Sequence, residues 1–325
     1  MTGSTGRDRL DIGIDIGGTK IQAVALDGGG TVVGSVRAPT TTGAAALVTA
    51  AESVVRDVVV EAGGTVRDIG VVGAGIAGLV DAGAGTVTHA VNLGLGEEPF
   101  ALGPRLGDRL GLPVHVENDV NAAALGAAQV LSASSVLPPD LAYVSIGTGL
   151  AAGLVLDGRL RRGSRGVAGE IGHIPIDPNG PRCECGRRGC LAVLASGSAI
   201  ARRWPVDGQR SPVAELLAAA ARGHEGAVAI RDEVMGHLAD AIVMLALAVD
   251  PKIFVLGGGV AEVGEPLLLA VRSGLRQRAS ASPMLRSLDL SSRVTLIPPA
   301  PIGAIGAALA AHPEAGGEVE LEAGA

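Results

Sequence analysis

Aromatic side chains are almost missing from this chain: two phenylalanines, one tyrosine and one tryptophan in 325 residues. Stacking platforms for single-stranded nucleic acid cannot be assembled from Phe100, Phe254, Tyr143 and Trp204 alone. A net charge of −7 opposes a phosphate backbone as well, so nucleic acid is not an expected partner. There is no uninterrupted apolar run of about 18 residues, and Met1 to Leu10 carry no apolar stretch of the signal-peptide kind. Neither membrane attachment nor secretion is expected, which leaves the cytoplasm. Cysteine is scarce too, and all three residues fall between Cys183 and Cys190. An odd, crowded set in a reducing compartment favours a metal over disulfides.

Glycine, by contrast, is abundant. Fifty glycines beside 47% apolar and 18% charged residues describe a soluble α/β protein that spends glycine on turns and close backbone approaches. The length allows two lobes, each with its own core, and two lobes imply a cleft. Leu10 to Ile16 alternates as a strand, and Ile21 to Leu26 and Thr31 to Val36 continue as hairpins. A helix follows over Ala44 to Ala62, then a strand over Ile69 to Val72 ending in Gly73-Ala74-Gly75, and a hairpin through Val80 to Val87. A helix near Leu102 to Leu110, the strand Val114 to Val116 and a helix from Asn121 to about Leu131 complete a first lobe, 1–131. Ser132 to Asp140 reads as a connection. The second lobe, 132–301, restarts with strands at Leu141 to Ile146 and Leu150 to Leu156. Helices near Ser196 to Arg203, Pro212 to Arg222 and Ala227 to Val249 then surround a strand at Ile253 to Leu256. The helix at about 302–311 is expected to pack back onto the first lobe, and 314–325 to be a disordered tail.

Each lobe opens with a strand, a glycine-threonine turn and a second strand, a coarse internal duplication. In Asp15-Ile16-Gly17-Gly18-Thr19-Lys20 the bare glycines admit phosphate oxygens to backbone N–H groups. Thr19 adds a hydroxyl, Lys20 a cation, and Asp15 a carboxylate able to hold Mg²⁺ directly or through water. Taken alone, such a turn can equally be a hairpin that binds nothing. Gly147-Thr148-Gly149 repeats it, and Gly257-Gly258-Gly259 adds a third glycine turn, placed to take an adenosine. Together they point to ATP gripped from both lobes.

Transfer of a phosphoryl group to an alcohol needs a base for the hydroxyl proton. Asp119 qualifies, lying after an apolar strand, beside Asn118 and just before a helix; the alternative is that it merely caps that helix. His173 with Cys183, Cys185 and Cys190 forms a His-Cys₃ set suited to tetrahedral zinc. Four protein ligands close the coordination shell, so the zinc would be structural. It would fix a loop that carries Glu170, three residues before His173, whose carboxylate can accept bonds from sugar hydroxyls.

These motifs resemble the ROK family of sugar kinases, over nearly all of Asp11 to Ala311. The resemblance rests most on Gly169-Glu170-Ile171-Gly172-His173, the Cys183-x-Cys185-x₄-Cys190 cluster and Glu117-Asn118-Asp119-Val120-Asn121-Ala122-Ala123-Ala124. It implies an actin-like, hexokinase-like two-lobed fold built from duplicated ribonuclease-H-like domains, with Asp119 as base and Asn118, Glu170 and His173 against the sugar. His173 would then serve both zinc and sugar. Gly75, in Gly75-Ile76-Ala77-Gly78, and Asn92 look like further sugar-side elements, although Ala77 stands where the family usually has proline. Ala192 stands where the family commonly has a sugar-binding glutamate after its last zinc ligand, which opens space for a different substituent pattern. The reaction implied is ATP-dependent phosphorylation of a hexose, most simply the 6-hydroxyl of glucose. Amino sugars are the alternatives: kanosamine, N-acetylglucosamine or N-acetylmannosamine. The pattern is closest to the actinobacterial glucokinases, and similar proteins are homodimers or homotetramers. A non-catalytic sugar-binding protein is a further alternative. A DNA-binding regulator would need an N-terminal helix-turn-helix, for which the few residues before the first strand are not enough.

Overall fold

Backbone-to-backbone packing, possible only at glycine, organises the first half of this chain. A computed structural model describes residues 9–134, 140–208 and 210–312. These fall into two units, the first within Met1–Val136, Gly158–Val167 and Pro299–Ala325, the second within Leu137–Asp157 and Ala168–Pro298. Most of the expected connection, residues 135–139, and the expected tail from Glu314 lie outside the described residues. Among the described residues no helix is long and apolar enough to cross a membrane.

The first unit begins with strands β1 (Leu10–Ile16), β2 (Lys20–Leu26) and β3 (Val32–Pro39), then helix α1 (Ala44–Glu61) and strand β4 (Ile69–Ile76). A hairpin of β5 (Leu79–Asp81) and β6 (Thr86–Thr88), helix α2 (Leu102–Leu110), strand β7 (Val114–Asn118) and helix α3 (Asp119–Ser134) follow. The sheet order is β3-β2-β1-β4-β7, with β1 antiparallel to β2 and parallel to β4, and β4 parallel to β7. The carboxyl ends of β1, β4 and β7 therefore share one edge, and Asp15, Gly75 and Glu117 share one row across it.

The second unit opens with the antiparallel pair β8 (Leu141–Ile146) and β9 (Leu150–Leu156); the two-residue β10 (Arg159–Leu160) lies in the segment assigned to the first unit. Helices α4 (Leu191–Ala195), α5 (Gly197–Arg203), α6 (Pro212–Ala221) and α7 (Glu225–Val249) precede β11 (Ile253–Gly257). Then come α8 (Glu265–Ser280), α9 (Pro283–Ser287) and β12 (Val294–Leu296). In the sheet β9, β8, β11 and β12 are successive neighbours, the last three parallel. Side chains cap four of these helices: Ser196 accepts from the Ala199 N–H, Ser211 from Ala214, the His224 ring from Ala227 and Ser282 from Leu285. Each satisfies a donor that the first turn would otherwise leave open.

The last described helix, α10 (Ile302–Ala310), belongs to the first unit and packs on β1, β4 and α3. A Cβ on Gly13 or Gly73 would stand 1.8 Å from the carbonyl oxygen of Ala304 or Ala307, and one on Gly306 would stand 1.6 Å from that of Ala122. Along β1 the alternation places Ile12, Ile14 and Ile16 in the core with α1 while Gly13 meets α10 on the other face. This corrects the expectation that Gly73-Ala74-Gly75 ends a strand: β4 continues through it to Ile76, because α10 leaves no room there for a side chain. His312 Nε2 lies 2.7 Å from Asp11 Oδ2, joining the first strand to the residue just past α10.

Candidate active site

The turn from β1 to β2 is closed by the Gly17 N–H donating to the Lys20 carbonyl (3.0 Å) and by the Thr40 hydroxyl donating to the Gly17 carbonyl (2.6 Å). Gly18, Thr19 and Lys20 are exposed, and a side chain on Gly18 would point at Asn92 Cβ, 3.5 Å away. Asp15 is partly buried at the end of β1, against Gly303 in the first turn of α10. Burial, and then the charge of Asp119, push its carboxyl up to about 6 against the pull of Lys20. So the structure brings Asp15 and Asp119 close enough to interact, next to Asn118 and the Gly17-Gly18-Thr19 turn, with Asn92 bordering Gly18. Gly75 is buried in β4 with a virtual Cβ 3.2 Å from Ala122 Cβ, so helix packing already accounts for its missing side chain.

Helix α3 starts at Asp119, two residues earlier than its expected start near Asn121. Its opening is capped by Asn118, whose Oδ1 accepts from the N–H groups of Val120 (2.9 Å) and Asn121 (3.1 Å). Asp119 Oδ1 also accepts from Val120 (2.9 Å), but the reach to a later N–H that defines a cap is made by Asn118. Asn118 Nδ2 donates to the Gly78 carbonyl at 3.3 Å, which leaves one amide hydrogen for a ligand. Beneath this turn Glu117 is buried, 2% exposed. Burial drives its pKa up, but hydrogen bonds and charge from His115, Arg162 and Asn121 outweigh that and hold it below the ordinary carboxylate range. Sequence reasoning assigned no role to Arg162, and no local signal could have paired residues 45 positions apart.

In the second unit the Gly147-Thr148-Gly149 turn between β8 and β9 is closed by the Gly147 N–H donating to the Gly149 carbonyl, and Gly197 at the start of α5 donates to the Gly147 carbonyl at 2.8 Å. A Cβ on Gly258 would lie 2.6 Å from the Ile146 carbonyl, so the β8–β9 turn, the start of α5 and the Gly257-Gly258-Gly259 turn converge. The Tyr143 hydroxyl accepts from the Gly258 N–H at 3.1 Å, and its ring fills the place of a Gly257 side chain. No role at the site is expected of Tyr143 from sequence; a lone phenol in the largely aliphatic β8 is the available signal. Gly147, Gly149 and Gly259 differ from these: a Cβ there would meet nothing within 4 Å, and none has a positive φ. Neither packing nor backbone geometry asks for glycine at those three positions.

Glu170 and His173 lie on a segment pressed against β9. Cβ atoms on Gly169 and Gly172 would stand 1.8 and 1.9 Å from the carbonyl oxygens of Ala152 and Leu150, and the Ala152 N–H donates to the Gly169 carbonyl at 2.8 Å. Ala192, at the start of α4, borders Gly172. The ligand atoms of His173, Cys183, Cys185 and Cys190 all lie within 4.8 Å of one another. His173 Nδ1 is 3.5 Å from Cys183 Sγ, and Cys185 Sγ is 3.6 Å from Cys190 Sγ. Bonds of about 2.3 Å to a tetrahedral ion put sulfurs about 3.7 Å apart, so the donor set fits a thiophilic cation such as zinc. Hydrogen bonds from Arg187 draw the Cys185 thiol down to about 6, while burial and the neighbouring sulfurs push Cys190 up to about 12. A cation would relieve that repulsion.

A groove of about 820 Å³ in the first unit, lined by Gly83, Gly85, Pro104, Val114 and His115, is at the other end of β4 and β7 and contains none of the expected site residues.

A nucleotide-type glycine turn and a carboxylate pair at a sheet's carboxyl edge in one unit, with glycine turns and a His-Cys₃ cluster in the other, define a phosphoryl-transfer class of α/β protein. The model of the ROK family matches residues 11–312, and the chain belongs to that family. It is 35% identical to a glucokinase of Streptomyces coelicolor, covering 82% of this chain and 87% of that protein. An N-acetylmannosamine kinase of Citrobacter koseri is 34% identical over 82% of this chain and 88% of its own. Among solved structures, a ROK family glucokinase from Streptomyces griseus in complex with glucose and AMPPNP matches with TM-score 0.74 and 33% identity, covering 93% of this chain and 99% of that one.

Proposed function

We infer that this chain is an ATP-dependent sugar kinase in which Asp119 takes the proton from the attacking sugar hydroxyl. The observation that carries this is the Asp15–Asp119 pair at the carboxyl edge of the first sheet, beside a turn of bare glycines. Two neighbouring carboxylates can divide the work, one holding a cation and the other accepting a proton. Asp15 is the residue that would hold Mg²⁺, directly or through water, and the ion's contribution is to offset charge on the transferred phosphoryl group. Turn amides at Gly17 to Thr19, with Lys20, and at Thr148 and Gly149 bind phosphate oxygens; Gly258 and Gly259 receive the adenosine. Three glycines that the protein's own packing does not require support the nucleotide half of this reading.

Asn118, through its remaining amide hydrogen, Asn92, Glu170 and His173 orient the sugar so that its hydroxyl faces Asp119. His173, Cys183, Cys185 and Cys190 would hold zinc, which would fix the Glu170–His173 segment and, with four protein ligands, would leave no position for an activated water. The acceptor is glucose at its 6-hydroxyl or a glucose-like amino sugar. Ala192 beside Gly172 favours the wider class, since a carboxylate there would occupy space and demand a hydroxyl partner.

A coupled ADP-release assay over hexoses and amino sugars, run on wild type and Asp119→Asn, tests the reading. The variant should keep sugar binding and lose about 10²–10⁴-fold in kcat. Turnover at the wild-type rate in Asp119→Asn would remove Asp119 from the chemistry.

A further inference from the structure

Glu117 uses its two oxygens in opposite directions. Oε1 accepts from the Asn118 backbone N–H (3.0 Å) and from Asn121 Nδ2 (3.1 Å), so it carries the turn on which Asn118 and Asp119 sit. Oε2 accepts from Arg162 Nε at 2.6 Å, with Arg162 Nη2 also 2.6 Å away, while the His115 ring is more distant at 3.8 Å. Arg162 comes from Gly158–Val167, the short stretch that belongs to the first unit although the chain on either side of it belongs to the second. Gly163 and Gly166, both at positive φ, bend that stretch; Arg161 and Arg165 are exposed on it and Arg162 turns inward.

We propose that Arg162 is a positioning residue of the kinase reaction: it fixes the Glu117 carboxylate and thereby the Asn118–Asp119 turn. The proposal rests on Asp119 being the base. Its physical basis is that a carboxylate this deeply buried needs a hydrogen-bonded cation to stay ionised in place. Without Arg162, Glu117 either takes up a proton or rotates towards water, and both outcomes disturb Oε1. Asn118 then loses the acceptor of its backbone N–H while its side chain is still capping α3, and the first turn of α3, where Asp119 lies, loses its register. A displacement of about 1 Å at a reacting group is enough to cost about 100-fold in rate.

The test uses the full chain and the best hexose acceptor of the assay above, with four variants: Arg162→Met, Arg162→Lys, Glu117→Gln/Arg162→Met and Asp119→Asn. Arg162→Met should lower kcat by about 100-fold per folded molecule while the KM for ATP stays within about twofold. The double variant should recover about tenfold of that loss, because glutamine can still accept from the Asn118 N–H and needs no counter-charge. Arg162→Lys, which restores the charge without the planar fork, should fall in between. Arg162→Met within twofold of wild type, or a double variant no faster than Arg162→Met, would overturn the proposal, since a pair that only stabilises the fold does not predict that recovery. Should Arg162→Met fail to fold, Arg162→Lys decides: about tenfold lower kcat supports the role and an unchanged kcat overturns it. Failure of the base assignment is read separately, from turnover in Asp119→Asn.

Discussion

Around the β1–β2 turn the first unit places Asp15 before the glycines and Lys20 at the carbonyl that closes it; at the matching places of the β8–β9 turn the second unit has Ser145 and Gly149. Both hairpins lead into parallel strands, so the backbone plan is shared while the chemistry is not. Glycines also serve different ends. In the first unit Gly13, Gly73 and Gly306 are consumed by the contact with α10, whereas a Cβ on Gly147, Gly149 or Gly259 in the second would meet open space. The loops proposed to face the sugar differ in the same way: Asn118 donates its backbone N–H to a carboxylate held in a buried ion pair, while His173 belongs to a His-Cys₃ cluster. One half concentrates charge at a packed edge, and the other offers bare amides. Such a division suits a reaction in which one partner must lose a proton while the other brings several negative charges.

The contrast between the two kinds of glycine can be broken most sharply by methyl insertion. Gly306→Ala drives a Cβ into the Ala122 carbonyl and should cost on the order of 3 kcal/mol or more, seen as a large fall in Tm or loss of folded protein. Gly149→Ala should stay within about 1 kcal/mol of wild type and instead raise the KM for ATP by about fivefold or more. Equal stability losses at both sites would erase the distinction.

For the sulfur cluster, Cys185→Ser should abolish stoichiometric metal, measured by elemental analysis, together with about 3–4 kcal/mol of stability. Wild-type protein that is metal-free yet equally stable would show the cluster holds no structural ion.

The smallest effect concerns charge in the first unit. An aspartyl carboxyl in the unfolded chain titrates near about 3.9, and Asp15 in the folded chain near 6. The folded state therefore holds a proton that the unfolded state has released, and this group's contribution falls as pH rises from about 4 to about 6. Asp15→Asn should stabilise the protein by about 2–3 kcal/mol at pH 7 and by little at pH 4, in denaturant titrations at both values. A gain independent of pH would exclude titration as its cause.

Much of the fold could be read from periodicity. The hairpins, α1, α2 and α7 fall close to where alternation and the helical period place them, and α1 and α2 each bury an apolar face. Gly73 was misread because glycine punctuates most strands; its reason lies in α10, more than 230 positions later. The three residues of β12 are too few to show a period, and β10 has only two. At the candidate site, the glycine turns, Asp119 and the His-Cys₃ set were legible because spacing alone draws attention to them. Arg162 and Tyr143 were not, since their partners are set by topology and their neighbours in sequence are unremarkable.

Helix α10 has a consequence for synthesis. It covers the side of β1 and β4 opposite α1, so the Gly13 and Gly73 side of those strands lacks this cover until residue 310 has left the ribosome. The second unit, whose described residues end before Pro299, has all its strands and helices earlier. The half that is translated first is thus the half that matures last, and a nascent chain must keep the glycine-lined face of β1 and β4 from other partners until its own final helix arrives.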